Sequence, residues 1–118
     1  MDCLEGMKLL DDNSIDLTVT SPPYDNLRKY NGYSFDFENT AKELFRITRD
    51  GGTIVWVVND ATENGSETLT SFKQALYFKD IGFKLNDTMI YAKDTTFGTA
   101  GKGSLRYAQE FEYMFVFT

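Results

Sequence analysis

Residues 15–24 read Ile15-Asp16-Leu17-Thr18-Val19-Thr20-Ser21-Pro22-Pro23-Tyr24. The first six positions are rich in β-branched side chains, which restrict χ1 and pack well on a pleated surface, so a strand is expected over 15–20. The strand must stop at Pro22-Pro23, because proline has no N–H to give to a ladder. In open α/β sheets ligands bind outside the carboxyl ends of the strands. A rigid polar tetrapeptide directly after a strand stands at such a place.

Outward from this stretch, helical and extended patterns alternate. Upstream, Leu4, Met7 and Leu10 recur at i, i+3 and i+6 and predict a short helix over 2–10, followed by the turn cluster Asp11-Asp12-Asn13-Ser14. Downstream, residues 24–33 read as loop. Phe37, Ala41, Leu44, Phe45 and Thr48 then share a helical face, and Arg49-Asp50-Gly51-Gly52 ends that helix with a glycine available for a left-handed cap. Residues 53–58 are nearly all apolar and predict a strand buried on both faces. A polar loop over 59–66 leads to a helix over 67–81, with Leu69, Phe72, Leu76 and Ile81 inward and Gly82 as its cap. Residues 85–92 and 112–117 read as strands separated by a long loop over 93–106. The expected class is α/β with a mostly parallel sheet of strands near 15–20, 53–59, 85–92 and 112–117. The last strand should run antiparallel, since no helix joins it to its predecessor.

The 118 residues allow one domain, 1–118. Hydrophobic residues make up 42% and aromatic ones 15%, enough to fill a core. Cys3 is the only cysteine and histidine is absent. An internal disulfide, a cysteine-ligated zinc site and a Ser-His-Asp triad are thereby excluded, and no metal is expected. The cysteine usage fits a reducing cytoplasm. Residues 1–10 lack the basic flank and apolar run of a signal peptide, and no stretch approaches the roughly 18 apolar residues of a membrane span. The net charge of −6 counts against nucleic-acid binding by this chain alone, since such binders are usually basic.

Chemistry concentrates at Ser21-Pro22-Pro23-Tyr24. Two prolines fix the backbone and leave carbonyls without a ladder partner, so the Pro22 carbonyl can accept an N–H of a substrate amine. The Ser21 hydroxyl can accept a second one. Tyr24 offers a flat ring on which a base can stack, worth about 1–3 kcal/mol. Taken alone, the tetrapeptide is equally a strand that ends in a Pro-Pro turn with Tyr24 packed on the core. Asp25, Asn26, Arg28 and Lys29 follow on the loop, either as contacts to a phosphate or as solvated charge. Trp56 and Cys3 read as buried core residues. Gly98-Thr99-Ala100-Gly101-Lys102-Gly103-Ser104 imitates a phosphate-binding loop, but Gly98 and Gly101 are too close and Gly103 stands where Ser or Thr should follow Lys102.

Asp2-Cys3-Leu4-Glu5, the run from Ile15 to Tyr24, Gly51-Gly52-Thr53 and the closing 111–117 together resemble the β-group DNA amino-methyltransferases, across essentially the whole chain. The specific part is the (Asp/Asn/Ser)-Pro-Pro-(Tyr/Phe) motif. The resemblance implies a partial Rossmann-like methyltransferase sheet, S-adenosylmethionine as cofactor and double-stranded DNA as substrate. It implies that the target base is flipped out, that Ser21 and Pro22 hold its amine, that Pro23 stiffens the turn and that Tyr24 stacks on the ring. Ser at the first motif position leans toward cytosine N4 in this family; adenine N6 is the alternative, and an inactive remnant acting as an assembly module is another. Asp2 matches an acidic position near the cofactor adenine, and equally suits a helix N-cap with Glu5 three residues on. The family's Phe-x-Gly-x-Gly element, which binds the cofactor methionine, does not occur in the 118 residues. The chain therefore reads as the catalytic part of a longer or split enzyme, completed by a C-terminal half or a second subunit. A homodimer is a further arrangement left open.

Overall fold

The computed structural model describes residues 2–23, 35–93 and 111–118. Its helices are α1 (Cys3–Met7), α2 (Phe37–Ile47) and α3 (Thr70–Ile81). Its strands are β1 (Ile15–Thr20), β2 (Thr48–Val58), the two-residue pair β3 (Thr62–Glu63) and β4 (Ser66–Glu67), then β5 (Leu85–Ala92) and β6 (Phe111–Phe117). Four strands share one sheet in the order β1-β2-β6-β5. β1 and β2 pair in parallel, with α2 between them in the chain, as a crossover connection requires.

The α/β class and the reversed last strand are as expected. The expectation of a mostly parallel sheet is corrected. β6 lies between β2 and β5 and pairs antiparallel with both, so two of the three ladders are antiparallel and the sheet is mixed. β1, β2 and β5 still point the same way. A strand that follows its predecessor without a crossover helix pairs beside it in reverse, and here it also becomes the neighbour of β2.

β2 starts earlier than the apolar run. Thr48 ends α2 with extended backbone (φ −75°, ψ 126°), sends both its N–H and its hydroxyl (2.6 Å) to the Leu44 carbonyl, and already pairs with Ile15. The expected glycine cap is therefore not used. Gly51 takes φ +80° inside β2, where the register with β1 shifts between Ile15 and Leu17. Gly52 is required by close approach: a Cβ there would lie 2.9 Å from the Arg49 carbonyl and 3.0 Å from that of Ile15.

The core occupies one face of the sheet. Ile54, Trp56 and Val58 of β2 and Phe115 and Phe117 of β6 meet Ala41, Leu44 and Ile47 of α2 and Ala75 and Phe78 of α3. Phe78 sits at the centre, edge-on to Trp56 with ring centroids 4.9 Å apart and 4.7 Å from Phe117. On the other face Val55 and Val57 are half-buried, and Leu17 and Val19 are 59% and 62% exposed. The strand read as buried on both faces is thus covered on one, because the described helices pack on the same side.

Two further expectations change. α3 buries Ser71, Gln74, Ala75 and Phe78, while Leu69, Phe72 and Leu76 are exposed. Polar groups on the inner face have partners that outweigh the apolar stripe: the Trp56 indole N–H donates to Gln74 Oε1 at 2.9 Å. Cys3, expected inside, is exposed, with its sulfur 3.9 Å from the Thr40 hydroxyl. Arg46 ties α1 to α2 by donating to the Met7 carbonyl (2.7 Å) and the Leu10 carbonyl (2.9 Å). Hydrogen bonds to Glu43 first, and then to Asp12, hold its guanidinium above the ordinary arginine pKa. Among the described residues no helix is long and apolar enough to cross a membrane.

Candidate active site

The β1–β2 ladder ends where Thr20 faces Trp56. Ser21, Pro22 and Pro23 follow without joining it, so the first three motif residues leave the sheet at the carboxyl end of β1, beside β2. Ser21 is exposed, and its hydroxyl makes no hydrogen bond among the described residues. It is therefore free to accept one from a ligand. Pro22 and Pro23 are half-buried. Tyr24, Asp25, Asn26, Arg28 and Lys29 lie outside the described residues, as does the glycine-rich segment 98–104.

Two residues read from sequence only as polar loop help to build this end of the sheet. Asn59 directly follows β2 and is 4% exposed. Its Oδ1 accepts the Asp60 N–H at 2.9 Å, and its Nδ2 donates to the Phe111 carbonyl at 3.0 Å. The amide thus ties the carboxyl end of β2 to the start of β6. Asp60 accepts both the backbone N–H and the hydroxyl of Ser71, each at 2.7 Å. It caps α3 from 11 positions upstream and brings that helix's positive N-terminal end to the same edge. The one available signal was an Asn-Asp pair directly after an apolar strand.

Asp2 also lies toward this edge. Cys3 meets Thr40 in the first turn of α2, whereas Arg46 in the last turn of α2 reaches Met7 and Leu10. The two helices therefore run side by side in the same direction. α2 ends where β2 begins, so the N-terminal ends of both helices point toward the carboxyl ends of β1 and β2. Asp2 Oδ1 accepts the Leu4 N–H at 3.3 Å, so the N-cap reading is realised. Its other oxygen stays open to a hydroxyl or amine.

These residues fit S-adenosylmethionine in part. Asp2 supplies a carboxylate suited to the adenosine end, and Ser21 and Pro22 supply acceptors suited to a base amine. The Phe-x-Gly-x-Gly cradle for the methionine end does not occur in the sequence.

The family model described as DNA methylase matches residues 15–118. The orphan methyltransferase M.BamHII of Bacillus amyloliquefaciens is 63% identical over 107 residues, which is 91% of this chain and 39% of that protein. The type II β methyltransferase M.BslI of a Bacillus species is 27% identical across 98% of this chain and 15% of its own length. Among solved structures, the PvuII cytosine-N4-specific DNA methyltransferase superposes with a TM-score of 0.85 at 20% identity, over 100% of this chain and 47% of that one; at this identity the likeness shows the fold. A DNA modification methylase of Thermus thermophilus, solved in complex with S-adenosylmethionine, has a TM-score of 0.71 at 26% identity over 98% of this chain and 52% of its own. The chain thus spans about half or less of the length of these proteins. The chain belongs to the N6/N4 DNA methylase family, a family of S-adenosylmethionine-dependent enzymes.

Proposed function

We propose that this chain is the catalytic part of a DNA methyltransferase that transfers a methyl group from S-adenosylmethionine to cytosine N4 in double-stranded DNA. The observation that carries the reading is Ser21-Pro22-Pro23 at the carboxyl end of β1, in a chain of the DNA methylase family. Bound S-adenosylmethionine supplies an electrophilic methyl group. The protein's task is to present the amine. A flipped base gives its amine hydrogens to the Ser21 oxygen and the Pro22 carbonyl, and its ring lies on Tyr24. Acceptors that draw the hydrogens out of the ring plane loosen the conjugation of the nitrogen lone pair and turn it to one face, toward the methyl carbon, and the proton that the amine loses on transfer would leave past the Ser21 oxygen to solvent. Ser21 is a poor base, so positioning accounts for most of the rate. The methionine side of the cofactor site and the target-recognition surface are supplied by polypeptide outside these 118 residues. That polypeptide also carries the basic, DNA-facing charge that a chain of net charge −6 lacks.

The test is mass spectrometry of nucleosides from DNA incubated with S-adenosylmethionine and the complete protein. N4-methylcytosine is expected. N6-methyladenine as the sole product overturns the choice of base and leaves amino-group transfer standing. A 5-methylcytosine product overturns both, because attack at a ring carbon needs a cysteine nucleophile that the motif does not contain.

A further inference from the structure

Among the described residues β5 ends the sheet, with β6 on one side and no strand on the other. It is eight residues long and exposed at every position. An open edge is a template for another strand unless proline, charge or a bulge blunts it. Neither proline nor charge occurs from Thr88 to Ala92, and the register shift of β5 falls before Asp87. Two observations give the phase of the free backbone groups. Lys84 and Thr118 exchange both backbone hydrogen bonds at 2.9 Å, so Thr118 turns its polar groups toward β5. The Phe111 carbonyl instead accepts from Asn59, on the β2 side. Alternation along β6 then directs Glu112, Met114 and Val116 toward β5, where the register pairs them with Tyr91, Met89 and Asp87. The N–H and C=O groups of Thr88, Ile90 and Ala92 consequently point out from the open edge.

We propose that this edge pairs with the same edge of a second copy, antiparallel across a two-fold axis through Ile90. Outward-pointing residues then meet: Ile90 faces Ile90, and each Thr88 faces an Ala92 of the other copy. Between them each Met89 faces a Tyr91, an apolar cross-strand pair. Of the registers that oppose outward-pointing residues, this one also sets Asp87 against Lys93 of the second copy, twice. The Lys93 ammonium lies 3.9 Å from Glu112 and has donors left for another carboxylate. This order of charge, acid at one end and base at the other, is complementary to its own reversal, which makes a second copy the fitting occupant. The net charge of −6 on each copy opposes association, but physiological salt screens it beyond about 8 Å. β5 lies at the far end of the sheet from β1, so both Ser21-Pro22-Pro23 segments stay outside the contact and face opposite ways. The proposal rests on the strand edge and not on methyl transfer.

Sedimentation equilibrium of the intact 118-residue chain is expected to show a reversible monomer–dimer equilibrium. Asp87→Lys sets Lys against Lys, and Lys93→Asp sets Asp against Asp, so each should weaken self-association at least tenfold. Mixing the two variants restores both opposite pairs and should restore association. Both positions are exposed, so circular dichroism should stay unchanged. Amide exchange of the wild-type chain gives an independent reading: the N–H groups of Thr88, Ile90 and Ala92 should gain protection from dilute to concentrated protein. A chain that stays monomeric to its solubility limit overturns the proposal, as does a mixture that fails to associate. So does a dimer that both single variants retain or that leaves these three amides unprotected. If Leu17→Lys with Val19→Lys disperses that dimer, the contact lies on the open sheet face instead.

Discussion

At the level of single residues, the proposed site divides into groups that touch the base and groups that hold the frame. Tyr24→Ala in the complete protein removes the stacking surface and should cost about 1–3 kcal/mol of base binding, measured with DNA carrying the target base and with an abasic control. Tyr24→Phe keeps the ring and should be much milder. Ser21→Ala removes one acceptor and should lower kcat more than it weakens DNA affinity, because most of that affinity comes from phosphate contacts elsewhere. Equal losses in both would speak against Ser21 as an amine acceptor. Asn59 acts on the frame. Removing its amide leaves the half-buried Phe111 carbonyl without that donor and frees the Asp60 N–H. Asn59→Ala should lower unfolding stability by about 1–3 kcal/mol, read from the urea midpoint. The end of β1 at Thr20 was legible in sequence because two adjacent prolines after a β-branched run have a narrow structural meaning. Asn59 was not, because a polar residue after a strand looks the same in a solvated loop as in a buried hydrogen-bonded corner; only the position of Phe111, 52 residues away, distinguishes them.

At the level of elements, α3 shows where periodic reading succeeds and where it stops. Its extent is close to the pattern, Thr70–Ile81 against an expected 67–81, and Gly82 follows with φ +128°. The buried face was misread. Leu69, Phe72 and Leu76 form the obvious apolar stripe, yet the helix turns Ser71 and Gln74 inward. Gln74 satisfies the buried Trp56 indole, and Ser71 engages Asp60, so two polar positions count as interior ones. Such pairings join residues 18 and 11 positions apart and leave no trace in local periodicity. Asp60 has a further consequence. Leu69 precedes α3 in a left-handed conformation (φ 59°) and offers no side-chain cap, so the helix start depends on a carboxylate from the preceding loop. Asp60→Ala should destabilise the fold by about 1 kcal/mol and speed amide exchange in the first turn of α3. Asp60→Asn, which keeps an acceptor, should recover most of the loss. An Asp60→Ala variant with unchanged exchange at Ser71 would show that water serves the helix end equally well.

At the level of the whole molecule, the α/β alternation was legible and the sheet's internal order was not. Strand direction follows from whether a helix intervenes, but the placement of β6 between β2 and β5 depends on which edge offers the better apolar partner. Val55, Val57 and Ile54 of β2 meet Val116, Met114 and Phe117 of β6, a match visible only once the register is known. The same architecture limits what this chain does by itself. The proposed site offers acceptors for an amine in Ser21 and Pro22 and a carboxylate for the adenosine end in Asp2, while nothing in the sequence matches the glycine-rich cradle for methionine. Cofactor affinity needs both ends held at once, since a ligand gripped at one end still loses its translational and rotational freedom for a fraction of the contacts. Residues 1–118 alone should therefore give no saturable heat with S-adenosylmethionine in titration calorimetry, at concentrations that saturate the complete protein. They should also leave DNA unmethylated over the same period. Tight, stoichiometric cofactor binding by the 118-residue chain would mean that the methionine end is held by residues of this half, and would move the search for that contact to the edge built by Ser21, Asn59 and the N-terminus of α3.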